Sequence, residues 1–219
     1  MGFDLKSALI LTFGQTMQMV VISLVASVII GGGIGLLLFL TSNNLFIKNK
    51  IVNQIVGVII NITRSIPFLI LLVLMIPVSK AIVRTSIGPN AVVIPLAIAA
   101  IAFFARLSEA SFSDVDHGIL EAAIASGASK FSIVLKILMP EALPSLIKNI
   151  TVTVVSLIGF SAMAGTVGGG GLGDLAIRYG YQRYEPVVML ICVVVLVLLV
   201  QFFQIIGDVS AKKLDKSNY

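Results

Sequence analysis

Charge is scarce in this sequence. Asp, Glu, Lys and Arg make up 11% of its 219 residues and hydrophobic side chains 58%, whereas an ordinary soluble domain carries about 25% charged residues. That excludes water as the main solvent. From Ser7 to Ile47 there is no formal charge at all, and a bilayer core about 30 Å thick asks for around 20 apolar residues per helical span. Cysteine is rarer still: Cys192 alone excludes an internal disulfide and a thiolate metal cluster within one chain. The only histidine is His117, and neither G-x-S-x-G nor H-E-x-x-H occurs. No catalytic residue and no metal-ligand set is assigned, so the expectation is a protein that is not an enzyme. Asp114 and Asp116 fit a solvated surface or a helix start better than an acid–base pair. A P-loop of the form G-x-x-x-x-G-K-[ST] is also missing, so the chain is expected to hold no cofactor and to bind no ATP itself. Without repeats, low-complexity tracts or Pro/Ser-rich linkers, one membrane domain over residues 1–219 is expected.

Apolar blocks account for most of what is present. They predict an all-α polytopic membrane protein with five transmembrane helices, at about 19–40, 51–78, 85–105, 150–167 and 186–207. Gln15, Thr16 and Gln18 precede the first span in a more polar stretch expected to lie along the interface. A signal peptide is not expected, because this apolar stretch far exceeds an h-region of about 7–15 residues and its flank holds both Asp4 and Lys6. The formal charge of +5 comes from basic residues scattered between the blocks. They form no stripe or stacking surface for nucleic acid. Lysine and arginine gather on the cytoplasmic side of membrane proteins. With the C-terminus inside, the inner face holds Lys48, Lys50, Arg106, Lys130, Lys136, Lys148, Lys212, Lys213 and Lys216, nine residues against five outside, Lys6, Lys80, Arg84, Arg178 and Arg183. N-terminus out and C-terminus in is the expected topology.

The one long polar stretch, 107–149, then faces the cytoplasm. Good helix formers from Ile119 to Ser126 are followed by Gly127, which can close a helix in the left-handed conformation. Ser129 is placed to cap a second helix. Phe131, Val134, Leu135 and Leu138 give that helix an apolar face, and Pro140 and Pro144 are expected to end it and turn the chain back into the membrane. A short stiff helix outside a membrane domain can lie in a groove of a soluble partner and transmit its motion; an amphipathic loop resting on the lipid surface is the other reading.

The series Glu121-Ala122-Ala123, Gly127, Ile137 and Pro140 resembles the signature loop of bacterial ABC importer permeases. In that loop Glu-Ala-Ala is followed by Gly after three residues and by Ile-x-Leu-Pro after nine more. Met139 stands where the pattern has Leu, a volume-conserving change. Arg64-Ser65-Ile66-Pro67-Phe68, Pro140-Glu141-Ala142-Leu143-Pro144 and Gly159-Phe160-Ser161-Ala162-Met163-Ala164-Gly165 with the glycine run beyond look like the methionine-uptake permease subunits in particular. The resemblance covers nearly the whole chain. It implies a subunit of the bacterial cytoplasmic membrane that forms a homodimer in contact with membrane lipid. It also implies two copies of an ATP-binding-cassette subunit, which would bind ATP and Mg, and a substrate-binding protein or lipoprotein outside. Glu121, Ala122, Ala123, Ser126, Gly127, Ile137 and Pro140 would then be the ATPase-binding residues. Methionine is the substrate it implies, with D-methionine, derivatives, another amino acid or a small peptide left open.

Within the spans, Arg64 and Pro67 interrupt the second. A mid-span arginine faces protein or a water-filled path, so Arg64 either contacts a substrate carboxylate and steadies a pathway wall, or bonds backbone carbonyls as a structural group. Pro67 removes a backbone donor and opens the helix locally. Ser161 and Met163, among Gly159 and Gly165, suit a place where helices approach closely and a flexible thioether seals a path; simple packing is the alternative for Met163. Gly168, Gly170 and Gly173 match G-x-G-x-x-G without the strand–turn–helix setting of a nucleotide site, and are expected to form an outer turn or a tight helix contact. Gly31 and Gly35 fit a G-x-x-x-G packing device. A stand-alone secondary transporter is the rival function, weakened by how few titratable groups lie in the spans.

Overall fold

A computed structural model describes residues 4–214, and among them the secondary structure is helical throughout, with no strand. Lys216, counted above for the inner face, lies outside the described residues. Helix α1 (Leu5–Ser42) runs for 38 residues without leaving the helical path, widening into one π turn over Ser27–Gly31. At 1.5 Å per residue it is about 57 Å long, well beyond the thickness of a bilayer core. Asp4 starts it by accepting from the Lys6 amide. The stretch expected to lie along the interface is therefore the first part of this helix. Its polar groups are not there for headgroups: Thr16 is 1% exposed and, with Gln15, bonds another part of the chain.

Asn49 caps α2 (Lys50–Ser65) by accepting from the Val52 amide. Pro67 then breaks the second span outright. Ile66, before the proline, takes an extended ψ of 123°, as the clash with the proline ring demands. Pro67 begins α3 (Phe68–Leu74), whose axis turns by 102° from α2. The short α4 (Ile76–Val83) follows and ends at Arg84 in the left-handed region. Next comes α5 (Pro89–Ser113), which includes Pro95 and extends past Ala105, where the third span was expected to end. It is the hub: α1, α2, α3, α4 and α7 (Lys130–Val167) all pack against it.

Close packing at this hub depends on the G-x-x-x-G pair. A Cβ on Gly31 would stand 2.8 Å from the Ile101 carbonyl oxygen, and one on Gly35 would stand 2.5 Å from that of Ala105. The core runs through Met19, Leu96, Leu157 and Ile158, all nearly or fully buried between α1, α5 and α7. A second cluster at the other end holds Phe39, Phe112, Leu120, Ile133 and Leu138.

Four helices are long and apolar enough to cross a membrane, α1, α5, α7 and α9 (Pro186–Leu214), and the bent pair α2–α3 makes up to five. The expected five spans fall within this range, the second being the bent pair counted as one crossing. Pro140 and Pro144 do not end a helix. A π turn over Val134–Leu138 lies just ahead of Pro140, and α7 continues through both prolines. The widened turn gives room to a residue that cannot donate to the ladder. It also moves the apolar face: Ile133 and Leu138, five apart, are fully buried, while Phe131 is 75% and Leu135 51% exposed. Of the expected stripe of Phe131, Val134, Leu135 and Leu138, which assumed unbroken α periodicity, Leu138 is buried and Val134 half-buried, while Phe131 and Leu135 face outward.

Candidate functional site

Two regions hold the residues singled out above, one at each end of α7. At the first, α6 (His117–Ala125) stands as a separate short helix. Asp116 caps it, its carboxylate accepting from the Gly118 and Ile119 amides at 2.6 and 3.3 Å. Gly127 closes it with φ at +81°. The Gly127 amide donates to Ile124 and the Ala128 amide to Ala123, the paired bonds of a Schellman ending. Ser129 then accepts from the Ser132 amide and starts α7. The local chemistry of the loop thus follows its residue types.

Of the residues in α6 only Leu120 is fully buried, inserted among Phe112, Ile133 and Leu138. Glu121 and Ala122 are exposed, as are Ser126 and Gly127 beyond the helix end, and Ala123 is half-buried. Ile119 and Ile124 present apolar surface at 45% and 37% exposure. Glu121 and His117 border a polar cleft with Ser42, Asn43 and Asn44 from the end of α1. Lys130 donates from its ammonium to the Phe46 carbonyl at 2.6 Å, which ties the α1–α2 connection to the same platform. Ile137 is half-buried and Pro140 exposed on the adjoining turn of α7. One face of the loop is welded to the helical bundle and the other is free.

The second region gathers around the broken span and the far end of α7. Phe68, just after the break, stacks on Phe160 of α7 with ring centroids 4.7 Å apart. Met163, three residues on, is 48% exposed. Arg64 and Pro67 are also exposed. Arg64 makes no hydrogen bond or ion pair among the described residues, so it is not tied to backbone carbonyls. The arginine that does bond a backbone carbonyl among the described residues is Arg106 of α5, which donates to the Gly57 carbonyl and Asn61 of α2 and pairs with Glu109 at 2.6 Å. Sequence reasoning missed this group because its partners on α2 lie 45 and 49 residues away. Ser161, grouped with Met163 in the sequence, points elsewhere: it is 1% exposed and its hydroxyl donates to the Ile158 carbonyl of its own helix.

The glycine run beyond Met163 is a tight helix contact. Gly168, Gly170 and Gly171 have φ near +78°, and the chain reverses there into α8 (residues 171–181), regular over Gly171–Leu175 and widened over Ala176–Tyr181. A Cβ on Gly173 would stand 2.5 Å from Ala162 Cα, and one on Gly165 would stand 2.8 Å from Asp174 Cα. Among the described residues no group of three His, Cys, Asp or Glu side chains is placed to hold a metal ion.

Comparison with known proteins agrees with this arrangement. Residues 31–216 match the model of the family described as binding-protein-dependent transport system inner membrane component. The probable D-methionine transport system permease protein MetI of Vibrio cholerae is 46% identical over 97% of this chain and 95% of its own length. The methionine import system permease protein MetP of Bacillus subtilis is 45% identical over 82% of this chain and 81% of its own. A chain from an inward-facing structure of the MetNI methionine ABC transporter superposes with a TM-score of 0.95 at 40% identity, covering 99% of this chain and 100% of that one. With the broken second span, the projecting Glu-Ala-Ala helix and nearly full-length similarity in hand, the chain belongs to the family of inner-membrane components of binding-protein-dependent transport systems.

Proposed function

We propose that this chain is the permease subunit of an ATP-driven methionine importer, working as a homodimer with two copies of an ATP-binding-cassette subunit on the cytoplasmic side and a substrate-binding protein or lipoprotein outside. The observation that supports it most directly is the build of α6: Leu120 is anchored in the bundle while Glu121, Ala122 and the helix end through Gly127 stand free. A partner that grips the free face moves the bundle through the anchored one. Glu121, Ala122, Ala123, Ser126 and Gly127, with Ile137 and Pro140 on the adjoining turn, form the gripped surface. The whole chain acts as one permease domain, with its N-terminus outside and the α6 loop inside.

At the outer end, Met163 from the two copies closes the path when the ATPases are apart, a flexible thioether sealing by excluding water. Arg64 lines the path beside the break at Pro67, where its free guanidinium can meet the carboxylate of an amino acid. Ser161 packs the helix that presents Met163. ATP binding draws the two partner ATPases together, the α6 helices move with them, the outer gate opens to accept substrate, and hydrolysis returns the path inward. Labelled methionine uptake by vesicles holding the purified complex tests this reading. ATP-dependent uptake, displaced by unlabelled methionine and abolished when the ATPase subunit is omitted, is the expected result. Uptake that persists without the ATPase would overturn it, and displacement only by other amino acids would move the substrate within the same class.

A further inference from the structure

The turn that bears Met163 is braced from behind by α8, and α8 is held by α1. The Gln15 side-chain oxygen accepts from the Gly171 amide at 2.8 Å, and the Thr16 hydroxyl accepts from the Leu172 amide at 2.9 Å. These are two of the first amides of α8, which have no partner within their own helix. The approach is as close as glycine permits: a Cβ on Gly171 would stand 2.7 Å from Thr16 Oγ1, and one on Gly170 would stand 2.9 Å from Gln15 Oε1. On its other side α8 meets the end of α7 through Gly173 against Ala162 and Asp174 against Gly165. The Gly169 amide donates to the Ala164 carbonyl at 2.9 Å, and the Gly88 amide to Gly168 at 3.0 Å. No side chain intervenes at either glycine contact, so little slack separates α1 from Met163.

We propose that Gln15 and Thr16 are positioning residues for the Met163 gate: through α8 they lock the outer half of α1 to the outer turn of α7, so that the gate moves with α1 as one body. The inference rests on the reading of Met163 as the gate. In this arrangement the polar residues of α1 set where Met163 stands without touching substrate.

The test uses the purified complex without nucleotide, carrying Cys192→Ser and Met163→Cys, and a short bis-maleimide that links the two copies at position 163. Efficient linking is expected with native Gln15 and Thr16. Thr16→Val and Gln15→Leu each should lower its yield about fivefold, the factor commanded by one buried hydrogen bond of ordinary strength. Thr16→Ser and Gln15→Glu, which keep an accepting oxygen, should restore it, and thermal unfolding of the same complexes, expected to be unchanged, separates a positioning role from a general loss of stability. Should one valine or leucine variant fail to assemble, the other carries the measurement. Strong linking that is indifferent to both variants would overturn the positioning role while leaving the gate intact. Absence of linking in every background, with Met163→Ala vesicles still tight to methionine, would remove the gate and this inference with it.

Discussion

Glycine at position 35 and glycine at position 33 sit two residues apart in α1 and face opposite fates. Gly35 lies against α5, where a Cβ would come 2.5 Å from a backbone oxygen and 2.6 Å from Ser108 Cβ. Gly33 has nothing within 4 Å of the same construction. Gly35→Ala is expected to destabilise by about 1–3 kcal/mol, the usual cost of forcing volume into a packed contact. Gly33→Ala should be neutral or stabilising by up to about 1 kcal/mol, since alanine is the better helix former. Thermal unfolding of the detergent-solubilised protein checks the pair. A larger loss at position 33 would contradict the packing described. The spacing of Gly31 and Gly35 was legible in the sequence as a packing device. Which helix it packs against was not, because that partner is set by the tertiary arrangement. Thr16 and Gln15 show the same limit from the polar side: their acceptors serve amides 156 residues away, and no local pattern in the sequence distinguishes them from interfacial residues.

Among the helices, legibility follows how local the cause is. The break at Pro67 and the stop at Gly127 each arise from one residue's backbone limits, and both stand where the sequence placed them. The continuation of α7 through Pro140 and Pro144 does not, because the π turn that accommodates it is sustained by burying Ile133 and Leu138 together with Leu120. In the proposed function that burial makes α6 the lever, since its connection to α7 is only the short segment 126–129. Gly127→Pro would place φ near −65° where the chain needs +81° and would delete the amide that bonds Ile124. A backbone misfit of about 1–3 kcal/mol confined to this connection predicts a loss of uptake per ATP on the order of tenfold, while the spans stay folded. Parallel measurement of ATP hydrolysis and methionine uptake by the reconstituted complex reads it. Unchanged uptake would count against α6 as the moving connection.

Over the whole molecule, charge and packing make two separable statements. The cluster of Phe39, Phe112, Leu120, Ile133 and Leu138 lies at the α6 end of the bundle, and the glycine contacts of α8 lie at the other. Lysine and arginine of the α6 end outnumber those of the α8 end, and this excess is what supports the proposed placement of α6 on the cytoplasmic side. The odd number of spans rests on the bent pair α2–α3 crossing once. Accessibility decides the matter. On a Cys192→Ser background, Ser126→Cys beside Gly127 and Gln182→Cys beyond α8 both introduce exposed thiols. In right-side-out vesicles an impermeant thiol reagent should label position 182 and leave position 126 unmodified until the membrane is opened. The reverse pattern would put α6 out of reach of any cytoplasmic ATPase, and labelling of both would mean that α7, the one span between the two positions, does not cross the membrane.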